Sequence, residues 1–108
     1  MAKYEVYLTG EAEADLDEIV EYVEFHDSVE RADYLYEKIK ESVLKFEMFP
    51  ARGRVVPELR EWGVTEYREI FYKPFRILYV VSGKRVSVHG IFDARRGIEE
   101  LLSRRLLR

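Results

Sequence analysis

The segment Tyr67-Arg68-Glu69-Ile70-Phe71-Tyr72-Lys73-Pro74-Phe75-Arg76-Ile77-Leu78-Tyr79-Val80-Val81-Ser82-Gly83-Lys84-Arg85-Val86-Ser87-Val88-His89-Gly90-Ile91-Phe92 holds three runs rich in aromatic and β-branched residues, separated by two turn signals. Residues 67–72, 75–82 and 85–92 have the composition of strands, whereas Lys73-Pro74 and Ser82-Gly83-Lys84 have that of tight turns. Connections this short return each strand alongside the one before it, so the segment reads as three consecutive antiparallel strands. In the middle run Ile77, Tyr79 and Val81 share one parity and Leu78 and Val80 the other, so both faces are apolar. A strand of that kind is covered on both sides and belongs at the centre of its sheet.

Upstream, residues 3–8 alternate, with Tyr4, Val6 and Leu8 on one side and Lys3, Glu5 and Tyr7 on the other, as in a half-buried strand. Thr9 is placed to cap a helix whose Ala12, Leu16, Ile19, Val20 and Val23 recur on one face. Asp15, Asp17, Glu18, Glu21 and Glu24 read as the wet face of that helix rather than as a cation site. Asp27 followed by Glu30 has capping-box spacing for a second helix, striped by Ala32, Leu35, Ile39, Val43 and Phe46. Phe49-Pro50 ends it, because the residue before proline is pushed out of helical geometry. Residues 50–63, punctuated by Pro50, Gly53, Pro57 and Gly63, read as a surface loop carrying Arg52, Arg54 and Arg60. Ile98, Leu101, Leu102 and Leu106 space a closing helix, with Arg104, Arg105 and Arg108 at an end expected to fray. The order β-α-α-β-β-β-α is that of an α+β domain, with an N-terminal strand, a helical hairpin packed on a mostly antiparallel four-stranded sheet, and a short C-terminal helix.

At 108 residues the chain has the length of one domain, and residues 1–108 are read as a single unit. Its 47% hydrophobic and 36% charged content supports one core beneath a solvated surface and separates it from disordered chains. There is no cysteine, which removes disulfides and thiolate metal sites. His26, in the acidic link between the helices, reads as a solvated turn residue, and two distant histidines make no metal centre. No phosphate-cradling glycine loop or nucleophile elbow occurs, so neither metal nor cofactor is expected. No apolar run follows a basic one in residues 1–10, and none anywhere approaches the roughly 20 residues of a membrane span, so a cytoplasmic protein without a membrane partner is expected. The net charge of −3 conceals a split: residues 1–50 hold 5 Lys/Arg against 14 Asp/Glu, and residues 51–108 hold 13 against 7. The second half therefore has the sign needed to meet phosphate or an acidic protein, unless its charges belong to ordinary solvated faces.

Four strings, together with the element order, carry a family resemblance over nearly the whole chain. They are Glu11-Ala12-Glu13-Ala14-Asp15-Leu16, Phe49-Pro50-Ala51-Arg52-Gly53-Arg54, Tyr67-Arg68-Glu69-Ile70 running into Phe75-Arg76-Ile77-Leu78-Tyr79, and Phe92-Asp93-Ala94-Arg95-Arg96. The chain resembles the ParE/RelE toxin superfamily, and the ParE-like, plasmid-stabilisation branch more than the RelE-like one. The resemblance implies the toxin of a type II toxin–antitoxin pair, held silent by a cognate antitoxin in a hetero-oligomer, with DNA gyrase as the target in the best-known ParE proteins. RelE-like relatives instead cut messenger RNA in the ribosome with basic sheet residues and a tyrosine near the C-terminal end. Here Glu69 stands where that pattern favours a basic residue, and no tyrosine follows Arg96. An inactive module that keeps only the scaffold and an antitoxin-binding surface is a third reading.

Metal-independent RNA scission by 2′-hydroxyl attack needs a base, an acid and cations for the phosphorane charge. Arg68, Arg76, Arg95 and Arg96 are the candidate cations of the RelE-like reading. His89 and Asp93 share strand parity, yet four residues separate them by roughly 13 Å in an extended strand, so they form no dyad. Under the ParE-like reading the target-binding candidates are Arg68, Lys73, Arg76, Asp93, Arg95 and Arg96. For Arg76 the alternative is a strand arginine paired with Glu69 or Asp93. For Arg95 and Arg96, placed at the start of the closing helix, the alternative is local neutralisation by a capping Asp93. Sheet edges and a helical hairpin suit an antitoxin segment, with Trp62 and Tyr72 as aromatic anchors. Phe71 is expected in the core.

Overall fold

The computed structural model describes residues 3–106. The chain runs β1 (Glu5–Leu8), α1 (Gly10–His26), α2 (Val29–Leu44), a 3-10 turn (Lys45–Glu47), β2 (Arg54–Val55), α3 (Pro57–Glu61), β3 (Tyr67–Tyr72), β4 (Phe75–Ser82), β5 (Arg85–Asp93) and α4 (Glu99–Leu106). The α+β class and the order of the expected elements hold. The sheet has five strands rather than four, ordered β1-β5-β4-β3-β2, with β4 in the middle and only the β1–β5 pair parallel.

The added strand and α3 both lie in residues 50–63, which the sequence presents as a loop. A two-residue strand has no periodicity to detect, and tertiary contacts fix it instead. The Tyr79 hydroxyl accepts from the Gly53 N–H at 2.8 Å, and Arg68 Nη1 donates to the Gly53 carbonyl at 2.8 Å. Arg54 then pairs with Glu69 and Val55 with Arg68. A Cβ on Gly53 would lie 2.5 Å from the Glu69 carbonyl oxygen and 2.7 Å from the Tyr79 hydroxyl, so the close approach needs glycine.

Both faces of β4 are covered. On one side α1 and α2 lay Ala12, Leu16, Ile39 and Val43 against Ile77, Tyr79, Val86 and Val88. On the other, Val56 and Leu59 of the α3 segment and Ile98 and Leu102 of the α4 segment pack with Leu78 and Phe92. Thr9 caps α1 as expected, its Oγ1 accepting from the Ala12 N–H at 3.2 Å. Ser28, not Asp27, caps α2: its Oγ accepts from the Arg31 N–H at 3.0 Å, because the Asp27 N–H is used to close α1 on the Val23 carbonyl.

Two further corrections concern β5. A bulge between Leu78 and Tyr79 pairs them with Gly90 and Val88, leaving His89 as the extra residue. His89 therefore faces the α3/α4 side, edge-on to Tyr67 at 5.5 Å between ring centroids, while Asp93, opposite Phe75, faces the helical hairpin. Beyond the end of β1 the open edge of β5 is closed by Asp15, whose Oδ2 accepts from the Ile91 N–H at 3.0 Å. Arg105 of α4 grips the same carboxylate with two nitrogens, at 2.8 and 3.0 Å. Asp15 is thus a packed anchor, unlike its acidic neighbours, and Arg105 is pinned rather than frayed; Arg108 lies outside the described residues.

Candidate functional site

Where the helical hairpin meets one end of the sheet, the surface falls into a groove of about 900 Å³. Its floor is apolar, with Ile19, Val23, Leu35, Phe75 and Ile91, and Tyr22, Tyr34 and Tyr72 add aromatic rings. One wall, from α1 and the α1–α2 link, carries Asp15, Glu18 and Asp27. The β3–β4 turn and the loop after β5 contribute Lys73, Arg95 and Arg96, and Arg31 of α2 and Arg105 of α4 add two further cations. The fold brings these charges together by packing the acidic N-terminal helices against a sheet built from the basic half of the chain.

Five of the residues singled out from the sequence converge here: Tyr72, Lys73, Asp93, Arg95 and Arg96. Asp93 accepts from the Arg95 backbone N–H at 2.9 Å and from its guanidinium at 3.0 and 2.7 Å. Those hydrogen bonds, with the adjacent positive charge, hold the Asp93 carboxyl below its usual range and raise Arg95. Asp93 organises a turn in this way, the Arg96 N–H reaching its carbonyl at 3.1 Å, and it does not cap α4, which starts at Glu99. The first turn of α4 is acidic, with Glu99 and Glu100, as the helix dipole favours. Arg95 and Arg96 lie ahead of it, exposed at the groove rim.

Arg68 and Arg76 are elsewhere and on opposite faces of the sheet. Arg68 is occupied in holding Gly53. Arg76, 7% exposed, donates from Nε to Glu69 at 2.6 Å and from both terminal nitrogens to Glu58 at 2.9 and 2.8 Å. The hydrogen bonds that Arg76 donates to Glu58 and Glu69 raise its pKa still further, and Arg76 in turn lowers that of Glu58. Of the two partners offered by the sequence, Glu69 is used and Asp93 is not. Glu58 could be found only by recognising α3, which carries it over the sheet.

Trp62 closes α3 at 42% exposure, outside the groove. Phe71 is also exposed, at 47%, which corrects its expected place in the core: it lies on the sheet face beside α3, with the Arg54 guanidinium 5.1 Å from its ring centroid. His89 contacts Ser87 Oγ at 2.9 Å, and burial lowers its pKa. No group of three or more His, Cys, Asp or Glu among the described residues could hold a metal ion, and no helix among them is long and apolar enough to cross a membrane.

A mostly antiparallel sheet with a helical hairpin on one face and short helices on the other, opening into a charged groove at one end, defines a small α+β domain. Residues 6–97 match the family described as ParE toxin of type II toxin-antitoxin system, parDE, and the chain belongs to that family. Among solved structures it is similar to one titled "Chromosomal ParDE TA system from P. aeruginosa", with a TM-score of 0.70 and 24% identity over 84% of this chain and 96% of that one, a likeness of fold. The comparison with curated proteins gives no match.

Proposed function

We propose that this chain is a cytoplasmic toxin that acts by occupying a protein target, DNA gyrase, and that a cognate antitoxin silences it by filling the same groove in a toxin–antitoxin hetero-oligomer. The observation that carries this reading is the gathering of Tyr72, Lys73, Asp93, Arg95 and Arg96 around one concave surface. A groove with an apolar, aromatic floor and charged walls suits an amphipathic protein segment, which buries its apolar side and pairs its flanks. An antitoxin seated on Tyr72 would cover Lys73, Arg95 and Arg96 and deny them to the target. RNA cleavage has less support, because the cations it needs are dispersed: Arg76 is saturated by two carboxylates and Arg68 is committed to Gly53. The test is DNA supercoiling by gyrase in the presence of the purified chain. Inhibition relieved by the antitoxin encoded beside it is expected. Undisturbed supercoiling with codon-linked cleavage of messages in a translation extract would transfer the chain to the RelE-like reading. Normal growth on expression without antitoxin would mark an inactive module.

A further inference from the structure

Beside the groove, and sharing Tyr22 with its rim, the end of the helical hairpin carries an aromatic cluster that the core does not use. Phe25 is 84% exposed and Tyr22 64%, with Val29 beside them across the link to α2. The rings are not independent. His26 stacks on Tyr22 with centroids 4.2 Å apart and meets Phe25 edge-on at 4.9 Å, so the three form one raised apolar knob. Exposed aromatic side chains gathered in this way mark interaction surfaces more than scattered ones do.

The charge around the knob selects its occupant. Glu18, Glu21 and Glu24 are exposed one helical turn or less from these rings, and α1 contains no Lys or Arg. The cations near the knob are already paired: Arg31 with Asp27 at 3.6 Å, and Arg95, which interacts with Tyr22, with Asp93 at 2.7 Å. A second copy related by a two-fold axis would press carboxylates against carboxylates, and nucleic acid or an anionic lipid would be repelled by the same field. A basic protein surface is attracted twice: its Lys and Arg heads meet the carboxylates and the ring faces, and its aliphatic stems cover the rings. We propose that the hairpin tip, Phe25 and His26 with the Tyr22 they share with the groove rim, framed by Glu21 and Glu24, is a docking surface for a Lys/Arg-rich protein segment. This goes beyond the gyrase reading and does not depend on it.

The test titrates the full chain against three fluorescent probes: a lysine/leucine amphipathic helical peptide, a glutamate/leucine peptide of the same length, and a short DNA duplex. The basic peptide is expected to bind about tenfold or more tightly than the acidic one. Phe25→Ser is expected to weaken it by about tenfold, the effect of losing an aromatic anchor, and Glu21→Lys/Glu24→Lys to abolish the preference. All three positions are exposed on one helix and none lines the groove, so both variants should fold, as circular dichroism would verify. Equal binding of the two peptides by the unaltered chain, preference for the duplex, or undiminished affinity in the serine variant would each overturn the proposal. Gyrase inhibition, read separately, reports on the groove alone.

Discussion

Arg76 had two possible roles in the sequence, and its surroundings assign one. The Glu69 side chain has no solvent exposure and is held by Arg54 at 2.9 Å and Arg76 at 2.6 Å, so removing one cation leaves a buried carboxylate half compensated. Arg76→Ala should therefore cost about 3–5 kcal/mol in urea unfolding, mostly through the stranded Glu69. Glu58→Gln should cost only about 1 kcal/mol, because Glu58 is partly exposed and glutamine still accepts a hydrogen bond. Acid should weaken the fold through His89, Glu58 and Asp93, all acting in the same direction. His89 is half-buried, and the desolvation places its folded pKa below the ordinary 6.5; the unfolded chain takes up that proton first, and stability falls as pH drops from about that value. Glu58, held down by Arg76, contributes stability above its ordinary 4.5 that is lost as pH falls through its lower folded value. His89→Gln should flatten the first limb of the stability–pH curve and leave the second. A single residue's alternatives were legible in the sequence, but its partner was not, since Glu58 reaches Arg76 only through a helix hidden in residues 50–63.

The three-stranded meander was readable because alternation, aromatic content and turn residues agree over residues 67–92. The N-terminal strand was readable from its alternation, and both long helices from apolar residues recurring at helical spacing on one face. Short or contact-determined features were not: β2 exists because Tyr79 and Arg68 pin Gly53, and the bulge that turns His89 away from Asp93 leaves no mark in the residue pattern. The caps separate local pattern from geometry. Ser28→Ala should cost about 1 kcal/mol in thermal or urea unfolding and Asp27→Ala clearly less, the reverse of what the Asp27/Glu30 spacing suggests. Asp15 joins three elements, closing the β5 edge at Ile91 and anchoring α4 through Arg105. Asp15→Ala should cost about 1–3 kcal/mol, the penalty for a buried donor left unpaired, and should speed hydrogen exchange of the Ile91 amide. Asp15→Asn should keep that amide protected while loosening α4, which separates the edge closure from the ion pair.

Over the whole molecule, the charge split along the sequence becomes a spatial one: the acidic half forms β1 and the helical hairpin, the basic half the rest of the sheet and its helices, and the groove runs along their junction. Lys73, Asp93, Arg95 and Arg96 sit in a turn and at a strand end, and the pairing of β4 with β5, Phe75 opposite Asp93 and the Ala94 N–H on the Pro74 carbonyl, brings these positions together. The sequence does not separate Arg68 and Arg76 from them, because strand parity shows which residues share a face but not which face is covered or which carboxylate is near. The hairpin tip had no distinguishing mark beyond aromatic residues at helical positions, which are usually core. In the proposed function the groove is the surface through which the chain meets its partners. Growth arrest on expression without antitoxin, compared between the unaltered chain and a Lys73→Ala/Arg95→Ala/Arg96→Ala variant shown to be equally stable, tests this most directly. Loss of arrest in the variant is the expected result, and arrest as strong as that of the unaltered chain would contradict it.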